Sequence, residues 1–349
     1  MIRIGVLGTS SIAERRMIPA IRKESGFQYA GVAFSVREEM GFSGTEADFA
    51  PFLIQKKEKA ERFRSAFGGV VYESYLALLS DPEINAVYIA LPPALHSRWV
   101  REALSRGKHV LCEKPFTTRE EDTVSLIRLA RNRGLAVIEN YGFPLHRQMD
   151  LIRQYLSDGS LGDLRLVRAS FGFPHRDSAD FRYDPKLGGG ALLDCGGYTL
   201  KAATTVLGSD VKVLSARSVV TEGHSVDVFG SAMLTRKDGV CAQVSYGMDQ
   251  AYRCELEIWG SRGIVTAPRI FTAPDGFAAQ VILKQGQEIR EQTFPDDQFR
   301  QIVRRFEACI RSEEVRNSVL EEILLQSSLT EQVRAFGLSG KPDSRFPTG

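Results

Sequence analysis

The sequence predicts an α/β fold: a doubly wound parallel sheet first, then an α+β part built on an open, mostly antiparallel sheet. Three observations predict it. From residue 1 to about 140, short β-branched apolar runs alternate with amphipathic helical segments, the pattern of a parallel sheet covered on both faces. Beyond about 140 the runs lengthen and alternate in polarity, as strands with one covered face do. The 349 residues exceed one ordinary core and suit two domains, placed at 1–140 and 141–349.

Each element has its own signal. Strands are expected at 2–7, 29–34, 86–91, 109–111 and 136–139, and helices at about 12–20, 50–67, 73–80, 96–106 and 119–133. Asp81-Pro82 and Gly107 are helix stops within this series. A helix over 145–157 ends at Gly159. Strands are then expected at 164–172, 211–221, 228–235, 241–248, 254–259 and 280–284, two of the links being hairpin turns, Lys237-Asp238-Gly239 and Gly260-Ser261-Arg262-Gly263. Helices over about 296–313 and 317–336 close the chain. No internal repeat or low-complexity linker separates the parts.

Composition narrows the function classes. Hydrophobic residues make 43% and charged residues 25% of the chain, so disordered and fibrous classes drop out. Net charge is +2 and no long run of one sign occurs, which argues against nucleic acid as a partner. The densest cluster, from Lys56 to Arg64, mixes signs at helical spacing and reads as a solvated helix face. No stretch reaches the roughly 18 apolar residues of a membrane span. The first residues read as a strand, not a signal peptide, and the five scattered cysteines lack any CxxC pair. A cytoplasmic protein without membrane or nucleic-acid partners is expected, and no histidine pair has metal-ligand spacing.

The stretch from Gly5 to Ala13 follows the first strand and opens a helix. A dinucleotide turn needs little side chain where the backbone bends towards a pyrophosphate, and a helix N-terminus offers it free N–H groups. Gly8 can make that turn, with Thr9, Ser10, Ser11 and Ile12 after it; Ser10 and Ala13 stand where the motif has its later glycines. Such a turn can also be an ordinary strand-to-helix link. After the second strand, Ser35 and Arg37 suit a ribose 2′-phosphate, and no acid precedes Glu38. NADP is therefore expected, with NAD as the alternative. Arg37 could instead point to solvent.

Four stretches, in order, carry a resemblance: Gly5–Ala13; Leu91-Pro92-Pro93-Ala94-Leu95-His96; Gly107–Pro115, with Glu113-Lys114-Pro115; and Gly188–Tyr198, with Asp194. Together they resemble the glucose–fructose oxidoreductase/inositol dehydrogenase (Gfo/Idh/MocA) family over nearly the whole chain. Arg15-Arg16, the 181–184 stretch and Tyr198 look most like its sugar 3-ketoreductases and are also similar to its glucose–fructose oxidoreductase and dihydrodiol dehydrogenase branches. The resemblance implies a Rossmann domain, then a substrate domain whose sheet mediates a homodimer or homotetramer. It also implies Glu113 at the nicotinamide-side ribose, Lys114 near the reacting carbon across an often cis Lys–Pro bond, and residue 198 as the proton-transfer group. Roughly residues 38–55 are additional to the family pattern and stand beside the expected adenosine end.

The chemistry expected is hydride transfer between a nicotinamide and the carbonyl or alcohol of a sugar or nucleotide-sugar. Reducing a ketone leaves an alkoxide that needs an acid. Tyr198 can supply the proton if a cation stands near it, Lys114 being that cation, while Asp194, four residues before Tyr198, would share its helix face and hold Lys114 charged or fix the local hydrogen bonds. Without the resemblance, Lys114-Pro115 can be a surface turn, Asp194 a helix cap and Tyr198 a packed ring. Leu91, Pro92 and His96 are expected on the cofactor side, although His96 can equally be a packing residue. His175, Arg182, Tyr183 and Lys201 are candidates for substrate, with His146 and Arg147 behind them. Two rivals stay open: a non-catalytic NAD(P)-binding sensor, and a sugar–sugar oxidoreductase that recycles a tightly held cofactor.

Overall fold

The computed structural model describes residues 1–40 and 46–338, and the chain forms two compact units. The first comprises Met1–Asn140 with Phe299–Leu324; the second comprises Tyr141–Gln298 with the chain from Leu325.

In the first unit the elements run β1 (Ile2–Leu7), α1 (Ile18–Arg22), β2 (Phe27–Ala33), α2 (Arg37–Met40), α3 (Glu46–Phe67), β3 (Val70–Tyr72), α4 (Tyr75–Ser80), β4 (Ala86–Ile89), α5 (Pro93–Ser105), β5 (His109–Cys112), α6 (Glu120–Arg133) and β6 (Val137–Glu139). All strand pairs are parallel and the sheet order is β3-β2-β1-β4-β5-β6. The order reverses between β1 and β4, and the carboxyl ends at such a switch form the binding crevice of open α/β sheets. Ile4, Val6, Val87, Ile89, Val110 and Leu111 are wholly buried, which explains the near-continuous apolar runs of these strands. β3 was not expected.

The additional segment after β2 resolves in part. Its Gly41-Phe42-Ser43-Gly44 stretch lies outside the described residues, whereas from Glu46 the chain is helical, so the rest lengthens α3 at its N-terminal end. Within it Phe49 is buried and packs against Phe52, with Lys56 over the Phe52 ring.

In the second unit α7 (Arg147–Ser157) leads into β7 (Leu164–Gly172); α8 (Gly197–Leu207) precedes β8 (Val211–Val219), β9 (Phe229–Arg236), β10 (Cys241–Gly247), β11 (Arg253–Gly260), β12 (Ile264–Ala267), β13 (Ala278–Gln285) and β14 (Glu288–Pro295). The eight strands lie in the order β14-β13-β12-β11-β7-β10-β9-β8, and only β7 and β10 pair in parallel. Both expected hairpins form, at 237–239 and 260–263. β12 and β14 were not expected; β14 exposes nearly every side chain, so no apolar run marks it. On β7, Val167, Ala169 and Phe171 enter the core, while Arg168 and Ser170 stand on the opposite face.

Two helices, α9 (Gln298–Arg311) and α10 (Glu313–Leu338), end the described chain. The sequence assigns both to the second domain, but Phe299–Leu324 packs with the first unit. Phe306 stacks on Phe27 at 6.0 Å, and the Glu24 carboxylate accepts from Arg300 and Arg304 at 2.8 and 2.9 Å. The apolar face of α9 finds its partner more than 250 residues back in sequence, beyond any periodicity.

His109, at the start of β5, accepts the Ala136 N–H at Nδ1, 3.0 Å away, and burial together with the Arg316 charge pulls its pKa from 6.5 down to about 4. The fold therefore holds a neutral ring. Between pH 6.5 and 4 the unfolded chain takes up a proton that the folded chain refuses, so stability falls as pH falls, by roughly 2–3 kcal/mol at the acid end. Urea midpoints compared at neutral and mildly acid pH are expected to drop less for His109→Gln than for the parent; equal drops would remove this histidine as the cause.

Candidate active site

In the first unit the candidate residues gather at the carboxyl ends of the strands. Gly8 has φ +95°, a conformation that disfavours a side chain, and a Cβ there would stand 2.7 Å from Leu91 Cδ2 and 3.0 Å from the Ala90 carbonyl oxygen. The turn thus lies directly against the end of β4, at the reversal of sheet order. Ser10 Oγ accepts the Ala13 N–H at 3.2 Å and caps the helix, whose next turn, Ala13–Met17, is π-helical; Ser11 is exposed and Ile12 half-buried. Thr9 Oγ1 is buried without a hydrogen-bond partner, whereas Ser35 Oγ, buried beyond β2, pairs with the Tyr75 hydroxyl. A buried hydroxyl left unsatisfied is costly, so Thr9 wants an added partner. Together with the turn that excludes a Cβ at Gly8, it fits a dinucleotide.

At the end of β2, Arg37 is half-exposed at the first position of α2. The acid two residues on was missed by the sequence reading: Glu39 is buried and accepts N–H groups of Val36 at 3.2 Å, Tyr75 at 2.9 Å and Leu76 at 3.0 Å. It caps α4 from inside the unit, so this carboxylate is not available to ribose hydroxyls.

The Glu113–Phe116 turn is held from several sides. Tyr88 Oη and Asn140 Nδ2 both donate to Glu113 Oε1, at 2.5 and 2.6 Å. Glu139, also buried, accepts the Phe116 N–H at 2.7 Å. The Lys114–Pro115 peptide is cis. Burial raises the Glu113 pKa although its two donors and the Lys114 charge oppose the rise. His96 requires a correction. Wholly buried, it places Nδ1 2.7 Å from the Pro115 carbonyl and Nε2 2.8 Å from the Leu91 carbonyl, so neither nitrogen is left for a cofactor. It ties the Pro92-Pro93 entry of α5 to the lysine-bearing turn. Burial pulls its pKa down, against two carbonyls that favour the charged ring.

In the second unit Tyr198 occupies the first turn of α8, half-buried, with its ring 5.0 Å from Tyr141, 5.1 Å from Phe171, 5.7 Å from Phe271 and 6.2 Å from Phe143. A ring enclosed this way has one orientation, which suits a residue whose hydroxyl must be in place before a reaction. The preceding Gly197 permits it: a Cβ there would stand 2.0 Å from Tyr141 Oη. Lys201 follows Tyr198 by three residues on α8 and is half-buried.

Asp194 lies in Leu192–Gly196, a π-helical turn that leads into α8. The Asp194 carboxylate accepts from Arg182 Nε at 2.8 Å, and Arg182 Nη1 reaches both oxygens of Asp180 at 3.1 and 3.2 Å. Arg182 is thus held between two carboxylates, one of which, Asp180, was missed. Tyr183 donates its hydroxyl to the Met248 carbonyl and accepts the Arg176 N–H, both at 3.1 Å, so it anchors the loop. His175 is exposed and stacks on that ring at 4.8 Å; His224, absent from the sequence candidates, completes the group 5.2 Å from Tyr183 and 5.8 Å from His175. No spacing links residues 175 and 224, so the sheet alone brings them together. His146 is buried and its Nδ1 accepts the Gln148 N–H at the start of α7, a helix cap and not a sugar ligand. Arg147, exposed, lies over the Phe294 ring.

Comparison with known proteins bears on both units. Residues 2–141 match the model of the oxidoreductase family with an NAD-binding Rossmann fold, and residues 149–266 match the GFO/IDH/MocA C-terminal domain. The chain is 35% identical to a dTDP-3,4-didehydro-2,6-dideoxy-alpha-D-glucose 3-reductase of Actinomadura kijaniata, over 99% of this chain and 97% of the relative. The chain belongs to the Gfo/Idh/MocA oxidoreductase family. A 3-reductase of the same description from Saccharopolyspora spinosa is 38% identical, over 89% of this chain and 88% of its own. Among solved members of the family, a 3-ketoreductase from A. kijaniata in complex with NADP and TDP-benzene superposes with a TM-score of 0.86 at 36% identity, covering 96% of this chain and 97% of that one. The Rossmann unit and the second, mostly antiparallel unit are those of this family.

Replacing Arg182 with Met removes the cation that Asp180 and Asp194 share, in a setting where each carboxylate side chain is no more than one-fifth exposed. A stability loss of roughly 2–4 kcal/mol is expected in urea unfolding. Asp180→Asn, which keeps the Asp194 pair, is expected to lose less.

Proposed function

We propose that this protein is an NADP-dependent 3-ketoreductase acting on a nucleotide-linked deoxysugar. The observation that carries the reading is near full-length similarity to dTDP-sugar 3-reductases in a chain that has a lysine at 114 and a caged tyrosine at 198. Bound NADPH supplies the hydride. The Gly8 turn and the Thr9 and Ser35 hydroxyls hold its phosphates and ribose, with Ser10, Ser11 and Ile12 at the helix start and Leu91 and Pro92 along the opposite strand end. Arg37 takes the 2′-phosphate. The inward turn of Glu39 supports this preference, because a carboxylate facing that position would repel a phosphate.

Lys114 stabilises the charge that develops on the carbonyl oxygen, and Tyr198 delivers the proton that makes it a hydroxyl. Glu113 accepts from the nicotinamide-side ribose. Arg182, fixed by Asp180 and Asp194, and His175 present polar groups to the nucleotide-sugar, with Tyr183 and Lys201 flanking them. The protein acts as a homodimer or homotetramer through the open face of the second sheet. Supporting this are the side chains standing on that face, among them Arg168, Arg217, Arg253, Glu255 and Glu257. A cytoplasmic setting accords with five cysteines that form no disulfide and, among the described residues, with no helix long and apolar enough to cross a membrane.

Assay with NADPH and a dTDP-linked 3,4-didehydro-2,6-dideoxyglucose is expected to give the 3-hydroxy product. Tyr198→Phe should lower kcat by about 100-fold or more while NADPH still binds; turnover at the parent rate would remove Tyr198 as proton donor. Arg37→Ala should raise the KM for NADPH by roughly 10-fold and leave that for NADH nearly unchanged, since only the 2′-phosphate contact is lost. An equal rise for both cofactors would sink the assignment.

A further inference from the structure

The first unit contains a row of hydrogen bonds across three neighbouring parallel strands that packing alone does not require. Tyr88 lies on β4, Glu113 directly follows β5 and Asn140 directly follows β6. The backbones are laced in step: Glu113 N–H donates to the Ile89 carbonyl at 3.0 Å and Asn140 N–H to the Cys112 carbonyl at 2.8 Å. The side chains repeat the lacing, the Tyr88 hydroxyl and the Asn140 amide donating to the same Glu113 oxygen at 2.5 and 2.6 Å. The Tyr88 and Asn140 side chains are buried, Tyr88 wholly so.

Two donors converging on one carboxylate oxygen do more than satisfy it. They fix the plane of the carboxylate and direct its second oxygen, and as charged-acceptor bonds they are stronger than neutral ones. An apolar pair at 88 and 140 would pack this sheet edge equally well but leave Glu113 to rotate. Burying a carboxylate is unfavourable, and burial indeed raises the Glu113 pKa. A site that merely needed filling would not hold such a group with two dedicated donors.

We propose that Tyr88 and Asn140 are positioning residues for the cofactor: they hold Glu113 in the rotamer that accepts a ribose hydroxyl of NADPH. The proposal rests on the reading above in which Glu113 meets that ribose. It assigns work to two residues outside every motif the sequence displays, and the effect belongs to cofactor affinity before it belongs to turnover.

The test is NADPH binding to the full-length protein, followed by nucleotide fluorescence, for Tyr88→Phe, Asn140→Ala, Glu113→Ala and the double variant Tyr88→Phe/Glu113→Ala. Far-ultraviolet circular dichroism and melting check the fold; if Asn140→Ala does not fold, Asn140→Leu, which keeps the volume and lacks the donor, replaces it. Tyr88→Phe and Asn140→Ala should each weaken NADPH binding roughly 5- to 10-fold. In steady state their loss should fall more on the KM for NADPH than on kcat. With Glu113 already removed, Tyr88→Phe should change affinity less than 2-fold, because its only route to the cofactor is gone. If Glu113→Ala weakens binding while Tyr88→Phe and Asn140→Ala do not, the positioning role is wrong and the ribose reading stands. If the Tyr88 and Glu113 effects simply add, Tyr88 acts on stability and not through Glu113, which also overturns it. If Glu113→Ala binds NADPH like the parent, the ribose reading fails and takes this inference with it.

Discussion

Polar groups inside the apolar sheet of the first unit hold one short turn, and much else depends on that. The chain from Glu113 to Phe116 leaves β5 and has no regular structure of its own, yet it carries Lys114, the residue proposed to stabilise the carbonyl oxygen. Tyr88 and Asn140 hold its carboxylate, Glu139 holds the Phe116 amide, and His96 reaches the Pro115 carbonyl. Each group would be costly to bury alone, and each is satisfied by the turn. The other ring nitrogen of His96 takes the Leu91 carbonyl, so the start of α5 is fixed by the same side chain. Leu91 in turn lies where Gly8 must lack a side chain, which links the phosphate turn to the lysine turn through van der Waals contact.

The second unit solves a different problem. Its Tyr198 ring is enclosed by aromatic neighbours, and Gly197 precedes it because Tyr141 comes too close there for any Cβ. Ring contacts of this kind restrict orientation at small cost, since an aromatic side chain has only two torsions to lose. Charge in this unit is organised around Arg182, whose planar guanidinium engages Asp180 and Asp194 at once. Asp194 thus shares a cation with Asp180, a contact that no sequence spacing displays.

The order of elements was legible because local physics wrote it. Fully buried parallel strands must be apolar throughout, one-sided antiparallel strands must alternate, and both patterns extend over enough residues to be counted. β14 escaped because nearly all its side chains are exposed, so no apolar run marks it. The candidate site divides the same way. The Gly8 turn, the Glu113-Lys114-Pro115 turn and Tyr198 stand in contiguous motifs. Tyr88, Asn140, Glu39, Asp180 and His224 do not, because each earns its place through a partner on another strand or loop.

By itself, then, the sequence determined two sheets of different type and the contiguous motifs in which the candidates Gly8, Lys114 and Tyr198 stand. Only tertiary structure decided that His96 faces inward, that Arg182 engages both Asp180 and Asp194, that Glu39 caps a helix, and that α9 joins the first unit. The physical reason is range. Backbone conformation and amphipathic period act over a few residues and are written contiguously, whereas the satisfaction of a buried polar group depends on whichever distant residue the sheet order brings within 3 Å.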